Sequence, residues 1–432
     1  MPESSVPQRR RGPFRSLAIP NYRIWAAGAL VSNIGTWMQR TGQDWLVLTE
    51  LTDHSASAVG ILMAFQFGPQ LLFLPWSGLA ADRLNRRRLV MTTQAALGLL
   101  ALGLGLLTIS GAVQLWHVYV FAFLSGSVAA FDAPARQTFV SDLVDEQHLA
   151  NAVGLNSTSF NAARMVGPAV AGASIAAWGT GGAFLLNAAS FVAVLCSLFA
   201  IREDRLFAGG RRRSAGSGDL LAGFRYIWAR ADLRAIMAML VLIGTFGMNF
   251  PIFISTMSVT VFGMGAGRYG LLTSMMAIGT VCGALLAAGR DRPTMRTLAI
   301  GATMFGVGLA LAGVMPGFWL FGAMLLPVGV AALTFANTSN SIMQLTTEPE
   351  MRGRVVAIRL ATMSGLTLVG APIAGAVADH FGPRWAIALG ALAGLVASAI
   401  GWRHLATERA IAPPAIADLP LLAPKEDDAP PA

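Results

Sequence analysis

The chain has 432 residues, of which 55% are hydrophobic and only 12% are charged. Soluble domains carry about 25% charged residues, so these values exclude an ordinary soluble protein and indicate a multi-pass membrane protein. The formal net charge is +9, but nucleic-acid binding is disfavoured because the basic residues lie in short turns between apolar stretches.

Twelve apolar stretches follow one another along the chain. A helix of about 20 residues crosses a hydrocarbon core of about 30 Å, and backbone groups in lipid must be satisfied within the segment. Each stretch is therefore predicted to be a transmembrane helix, and the fold to be all-α and integral to the membrane. We number them spans 1 to 12, at residues 24–48, 57–81, 89–111, 115–139, 152–177, 181–200, 235–261, 268–289, 296–315, 317–341, 355–379 and 384–402.

The basic residues predict the orientation of these spans. We place 26 of the 31 Lys and Arg residues on one side of the membrane and only two, Arg268 and Arg384, on the other. Because Lys and Arg are enriched in cytoplasmic turns, both termini are expected to be cytoplasmic. No small-residue cleavage site follows the first stretch, so we predict a true span there rather than a signal peptide.

A basic, Gly- and Ser-rich connector separates six spans from six. We predict four parts: a first half at 1–201, the connector at 202–232, a second half at 233–403, and a disordered, Pro-rich cytoplasmic tail at 404–432. Within the connector, Asp219 precedes a segment with one apolar face. That segment fits either a helix lying in the cytoplasmic interface or an extension of span 7.

The two halves repeat each other without a gap when one is shifted by 203 residues. The shift places M-V-G-P-A-V-A-G at 165–172 on L-V-G-A-P-I-A-G at 368–375, and it places Gly126 on Gly329. It also aligns Gly179 with Gly382. Two parallel repeats of six spans are the layout of one large class of transporters.

The turn between spans 2 and 3 reads G-L-A-A-D-R-L-N-R-R-R. It resembles the loop signature of the major facilitator superfamily, which implies the major facilitator fold. The resemblance implies that Gly78 lets spans 2 and 11 approach, and that Asp82 faces a helix N-terminus in the other half. It also implies that Arg83 pairs with Asp142 at the end of span 4, and that these contacts latch an outward-open state. The signature comprises Gly78, Asp82, Arg83, Arg86 and Arg87, with Asp142 as its partner.

Span 5 resembles a second signature, found in the exporters of the same superfamily. It is carried here by Gly154, Gly167, Pro168 and Gly172, with Ala163 and another alanine in place of two glycines. Small residues permit close helix packing, and a proline loosens a helix by removing one hydrogen bond. The resemblance implies export, whereas a kinked packing helix in any transporter is the alternative.

Three further stretches resemble the enterobactin-exporter-like group, also called transmembrane secretion effectors. They are N-I-G-T-W-M-Q-R-x-x-Q-D-W-L-V-L at 33–48, F-D-A-P-A-R-Q-T-F-V-x-D-L-V at 131–144 and M-R-G-R-V at 351–355. The group includes siderophore and macrolide exporters. The resemblance implies a monomer in a bacterial inner membrane with a small-molecule cargo.

Five charged residues fall within or beside the predicted spans: Arg40, Asp44, Asp132, Arg136 and Arg164. A charge embedded in lipid is expensive and marks function by default. Asp132 and Arg164 have similar depths on consecutive spans, so we predict an ion pair between them. A structural pair of Asp132 with Arg136, four residues on, is the alternative. A proton-coupled carrier needs a titrating acid, for which Asp132 is the first candidate and Asp44 the second.

Amide side chains supply most of the other polar groups in the predicted spans, and the second half is predicted to hold no embedded charge. A mostly apolar cavity with scattered amides suits a lipophilic or amphiphilic cargo. The candidates for lining it are Asn33, Gln39, Gln66, Gln70, Asn249, Asn337 and Asn340.

The sequence predicts a secondary active exporter of small lipophilic or amphiphilic molecules that works by alternating access with proton antiport. An importer of the same fold is the alternative, and a non-transporting sensor or scaffold is the alternative of a different class. No enzymatic activity, catalytic residue, cofactor or metal site is expected. A phosphate-binding loop needs Gly-Lys-Ser/Thr, and Lys425, the one lysine, is followed by Glu426. The two cysteines, Cys196 and Cys282, lie within spans.

Overall fold

The computed structural model describes residues 14–207, 220–288 and 293–411. Over these residues the chain forms helices joined by short turns and contains no strand. The predicted fold class is confirmed: the chain is an all-α, multi-pass bundle of two six-helix repeats.

The first half contains spans 1 to 6. Span 2 is two helices that meet at an angle of 55°. Spans 5 and 6 lie in one run of 55 residues, which divides at Gly179, where φ is 71°. A positive φ favours glycine because a Cβ would clash there. The bounds are Pro20–Trp45 with the π-helical turn Leu46–Leu51 for span 1, Ala56–Leu72 and Leu74–Arg83 for span 2, Arg86–Ile109 for span 3, Leu115–Leu143 for span 4, and Glu146–Ala200 for spans 5 and 6.

The second half has the same plan. Gly382, at φ 99°, separates spans 11 and 12 at the position that the 203-residue shift aligns with Gly179. Span 7 covers Ala231–Val261; it breaks at Met248 and Asn249, after the π-helical turn Ile243–Gly247, and it ends in a second π-helical turn, Met257–Val261. The bounds of the other spans are Ala266–Ala288 for span 8, Met295–Val314 for span 9, Phe318–Thr346 for span 10, Pro349–Phe381 for span 11 and Pro383–Ile411 for span 12.

The connector and the tail differ in part from the predicted boundaries. Leu220–Ala229 is a helix of its own, because Arg230 has extended backbone angles between it and span 7. Leu221, Phe224 and Trp228 are exposed on this helix, as suits a helix in a membrane interface. Span 12 continues eight residues beyond residue 403, to Ile411. Residues 208–219, with Asp219, and 412–432 lie outside the described residues.

The spans have the length and surface of a membrane bundle. Nine helices in the described ranges are long and apolar enough to cross a membrane, and the bent span 2 makes ten. The 55-residue run holds two spans, and span 1, although more polar, is 26 residues long, which gives twelve. Tryptophans enriched near both interfaces are typical of membrane proteins. Exposed tryptophans occur near one end at Trp116, Trp178, Trp319 and Trp385, and near the other at Trp76, Trp228 and Trp402.

The two ends of the bundle differ in how the halves meet. We call the end with the turns at 84–85 and 144–145 the basic end, and the end with the turns at 52–55 and 262–265 the opposite end. At the opposite end the halves touch backbone to backbone at two glycine contacts: Gly60 and Gly375 lie between spans 2 and 11, and Gly172 and Gly270 lie between spans 5 and 8. A Cβ on Gly375 would lie 2.5 Å from the carbonyl oxygen of Ala56.

These two glycine contacts are related by the internal repeat. Gly375 approaches the start of span 2, and Gly172, its equivalent under the 203-residue shift, approaches the start of span 8 in the same way. Gly126 and Gly329, also aligned by the shift, each approach a backbone carbonyl, that of Gln66 and that of Met276. The repeat therefore preserves the positions where helices approach closely.

Asp379, in the last turn of span 11, links the halves at the opposite end. Its carboxylate accepts hydrogen bonds from the backbone N–H of Ala56 at 2.6 Å and of Ser57 at 2.9 Å, and from the Ser55 hydroxyl at 3.1 Å. The first N–H groups of a helix lack intrahelical partners and attract an anion. The carboxylate therefore caps span 2 from the other half of the protein.

We expect Asp379→Ala to weaken the closed opposite end by about 1–2 kcal/mol, because span 2 loses its cap from the other half. Distances between spin labels at positions 53 and 381 would report a larger open fraction, roughly 5- to 30-fold more of it. Asp204→Ala removes an exposed acid at the basic end and should leave the distances unchanged. Unchanged distances in Asp379→Ala would mean that the cap does not stabilise closure.

At the basic end the halves separate. Span 2 follows span 11 as far as Leu71, whose side chain lies against Gly365, and then bends at Phe73. Beyond the bend, no atom lies within 4 Å of where a Cβ on Gly78 would be. The expectation that Gly78 brings spans 2 and 11 together is therefore wrong for this structure, in which Gly60 and Gly68 make that approach. The cleft between the halves opens at the basic end.

Candidate functional site

A cavity of about 690 Å³ lies inside the first half. We call it the central cavity. Its lining comes from spans 1 to 6 and extends from Gln43 to Gln137, near the cytoplasmic end predicted for span 4. Its polar lining includes Asn33, Thr36, Gln39, Gln43, Gln66, Gln70, Ser125, Asn156, Ser157, Asn161 and Asn187.

Four of the seven amides predicted to line a cavity do line this one: Asn33, Gln39, Gln66 and Gln70. The three predicted from the second half do not. Asn249 is buried and donates a hydrogen bond to the carbonyl of Thr245 at 2.7 Å. Asn340 accepts a hydrogen bond from Gln344, and Asn337 is exposed outside the central cavity.

Amide pairs fix part of the cavity wall. Gln66 donates to Gln43 at 2.9 Å, and Asn187 donates to Gln39. Gln43 and Asn187 were not singled out from the sequence, because an amide in an apolar stretch gives no sign of which neighbour it meets. Part of the cavity wall therefore consists of amide side chains of spans 1, 2 and 6 that form hydrogen bonds with one another.

Asp132, on span 4, is buried and well partnered. Its Oδ1 accepts hydrogen bonds from the Thr93 hydroxyl at 2.7 Å and the Gln94 amide at 2.8 Å, and its Oδ2 lies 3.7 Å from Arg136. The predicted ion pair with Arg164 is wrong, and the Arg136 alternative is the one observed. Span 4 packs mainly against spans 2 and 3, so polar groups of span 3 reach Asp132 instead.

Arg164 and Arg40 both lie against the ring of Trp37. The guanidinium carbon is 5.4 Å from the ring centroid for Arg164 and 5.0 Å for Arg40. Arg40 also lies 5.1 Å from the centroid of Phe67. No hydrogen bond or ion pair joins either arginine to another described residue. We call Arg40 and Arg164 the arginine pair.

Asp44 lies one helical turn beyond Arg40 and is buried. Its Oδ2 is 3.4 Å from the hydroxyl of Tyr269, which belongs to span 8 in the other half. Its Oδ1 has no hydrogen-bond partner among the described residues, and Arg40 forms no ion pair with it there. Trp45 stacks on the Tyr269 ring at 6.1 Å. Tyr269 could not be inferred from the sequence, because the contact joins residues 225 positions apart.

The second half does contain a buried charge, contrary to prediction. Arg359 in span 11 is only 9% exposed, and it donates a hydrogen bond to the carbonyl of Ala336 in span 10 at 3.0 Å. It was counted among the turn residues, although it lies within the predicted span at 355–379. The hydrogen bond to this carbonyl compensates in part for burying the guanidinium group within the span.

The signature turn at 78–88 ties together helices of the first half. Asp142 pairs with Arg86 at 2.6 Å, so the predicted pair with Arg83 is wrong. Arg87 donates to the carbonyl of Leu198 at 2.8 Å and contacts Glu203. Asp82 is exposed and makes no described hydrogen bond with the other half, as expected where the cleft is open at the basic end.

The span 5 signature lies along two packing surfaces. Gly167 approaches span 1, where its Cβ would lie 3.1 Å from the carbonyl oxygen of Ile34. Pro168 and Gly172 face the start of span 8, at the opposite-end contact between the halves. Gly154, by contrast, has open space around it. The signature therefore holds span 5 against a neighbour in each half.

A family model described as transmembrane secretion effector matches residues 11–418. The chain is 27% identical to the staphyloferrin A transporter of Staphylococcus aureus, with 81% of this chain and 87% of that protein covered. It is 23% identical to macrolide efflux protein A of Streptococcus pyogenes, with 86% of this chain and 92% of that protein covered. It is 25% identical to the enterobactin exporter EntS of Shigella flexneri, with 78% of this chain and 83% of that protein covered.

A solved structure with a similar fold is a bacterial homologue of the human lysosomal transporter Spinster, in an inward-facing and unoccupied conformation. The TM-score is 0.72 at 15% identity, with 92% of this chain and 99% of that chain covered. This likeness shows the fold alone.

Proposed function

The chain belongs to the transmembrane secretion effectors, and from this premise we propose that it is a secondary active exporter of small lipophilic or amphiphilic molecules. It would act as a monomer in a bacterial inner membrane, without enzymatic activity and without binding nucleic acid. The basic end would face the cytoplasm, because arginine-rich turns stay on that side. Both termini would then be cytoplasmic.

The observation that carries this proposal is the central cavity. It encloses about 690 Å³ within the first half, a size typical of small-molecule sites, and mixes amides with aromatic rings. In the described conformation the halves meet at the opposite end and part at the basic end. Cargo would therefore enter the cavity from the cytoplasm.

In alternating access, the protein would change from a conformation closed at the opposite end to one closed at the basic end. The glycine contacts and the Asp379 cap at the opposite end would open, and the signature turn at 78–88 would close against the second half. Asp82 is free to do so, because it is exposed and has no described partner at present. Large movements of packed halves about a central site are the usual way in which such repeats transport a cargo.

Proton antiport would use Asp44 in the first place. It contacts Tyr269 in the other half and leaves one carboxylate oxygen without a partner. Opening the opposite end would separate Asp44 from Tyr269 and admit water, so the hydration of this acid would change with each cycle. Asp132 keeps three partners within the first half, so its surroundings would change less.

The test is a small-molecule profile of cells and medium with the gene deleted and restored. We expect a lipophilic or amphiphilic compound to accumulate inside the deletion strain and to be cleared when the gene is restored. A compound left in the medium only when the gene is absent would instead mean uptake. No difference between the strains under any growth condition would count against transport.

A further inference from the structure

The central cavity has an excess of positive charge. Its charged lining residues are Arg40, Asp132, Arg136 and Arg164. Asp132 and Arg136 lie 3.7 Å apart and offset one another. The arginine pair remains, and arginine keeps its charge in proteins.

Contact with Trp37 leaves the arginine pair without a carboxylate partner. The guanidinium carbons lie 5.0 and 5.4 Å from the ring centroid, and no ion pair joins either arginine to another described residue. Both arginines are half-buried against the same ring. Counted from the basic end, Arg40 is about 30 Å along span 1 and Arg164 about 27 Å along span 5, so they lie at one level.

Two residues of the cavity lining hold buried nitrogens without acceptors. The indole nitrogen of Trp37 and the amide nitrogen of Gln43 have no hydrogen-bond partner among the described residues. Gln43 is 3% exposed, and both residues line the central cavity. Because both nitrogens are shielded from the cavity itself, they add no donor to it, and the cationic group of the site is the arginine pair.

The acids near the arginine pair are held elsewhere. Asp132 accepts from Thr93 and Gln94 and lies beside Arg136. Asp44 is not part of the cavity lining and faces Tyr269 in the other half. Neither carboxylate forms an ion pair with Arg40 or Arg164 among the described residues.

Aromatic rings surround the donors. Phe67, Phe160 and Phe191 line the central cavity, and Phe160 meets Trp37 edge to face at 5.7 Å between ring centroids. These rings offer an apolar surface beside the cationic group. The site is thus suited to a molecule with one charged end and one apolar or aromatic body.

We infer that the cargo is an organic oxyanion, with a carboxylate or similar group bound by Arg40 and Arg164 and an apolar body against the phenylalanines. This inference rests on the proposed export function and names its cargo class. Charge-assisted hydrogen bonds to two guanidinium groups would hold the anion.

Three dansyl probes that differ in the charge of their tail test the inference by binding to the full chain in nanodiscs of uncharged lipid. Dansylglycine carries a carboxylate, dansylglycinamide is neutral, and dansylethylenediamine is cationic. We expect dansylglycine to bind at least about tenfold more tightly than dansylglycinamide, and the cation to bind most weakly.

Arg40→Gln and Arg164→Gln should each weaken dansylglycine binding by roughly 10- to 100-fold, because a hydrogen bond to a charged group is lost. Dansylglycinamide binding should change little and so reports that the variants fold. Arg164→Lys keeps the charge and should retain part of the preference. Arg268→Gln is the matched control, since Arg268 also lies over a ring, that of Phe318, but outside the central cavity.

Equal binding of the three probes, or variants that leave the preference intact, would overturn the inference. So would the absence of dansylglycine binding to the unaltered protein. Transport of the same probes by everted membrane vesicles separates this inference from the proposed function. Transport of the neutral or cationic probe alone would leave export standing and refute the anion site. Arginine-dependent binding without transport of any probe would support the site and count against export.

Discussion

Asp44→Asn is expected to abolish transport driven by a pH gradient while leaving binding of the cargo intact. The asparagine side chain cannot release a proton, but it keeps the size of the carboxyl group and can still accept from Tyr269. A gradient of one pH unit corresponds to about 1.4 kcal/mol per proton, which supports about tenfold accumulation for a one-to-one exchange. In Asp44→Asn we expect that ratio to fall to one.

The measurement uses proteoliposomes with an imposed pH gradient and the cargo identified from the metabolite profile. Exchange of labelled for unlabelled cargo without a gradient should persist, which separates lost coupling from lost folding. Asp132→Asn is the matched control, because Asp132 stays within its own half and should retain most of the coupling. Full coupling in Asp44→Asn with none in Asp132→Asn would assign the proton to span 4 instead.

Alanine at Gly172 or Gly375 is expected to open the opposite end. A Cβ on Gly172 would lie 2.7 Å from the carbonyl oxygen of Ala266, and one on Gly375 would lie 2.7 Å from the Cα of Ser57. Both neighbours are backbone, so the halves must move apart. Overpacking of this kind costs about 1–3 kcal/mol per site, which shifts the ratio of closed to open protein roughly 5- to 150-fold.

Spin labels at positions 53 and 381 would report the shift as longer distances, and the double variant should move further than either single one because the sites are separate. Transport should slow, since the protein returns less often to the conformation open at the basic end. Gly154→Ala is the matched control within the same signature, because no atom lies within 4 Å of its added Cβ. Unaltered distances in the double variant would contradict the prediction, because the added methyl groups would then be accommodated by local shifts while the halves stay closed at the opposite end.

The sequence predicted several charged and amide residues of the site, but it did not predict which residues they contact. Asp132, Arg136 and Arg164 stand out because a charge in an apolar stretch is expensive wherever it points. Gln39 and Gln66 line the cavity as predicted. Arg359 was missed because it lies only a few residues inside span 11, where it was taken for a turn residue.

The twelve spans, the internal repeat and the arginine-rich end can be read from the sequence alone. These follow from hydropathy over about 20 residues and from matched glycines, which need no knowledge of neighbouring helices. The contacts of Asp132 with Thr93 and of Asp44 with Tyr269 become visible in the folded protein. The rotation of each helix and the end at which the halves meet select such partners. Both depend on packing between residues far apart in the chain, which a local pattern does not record.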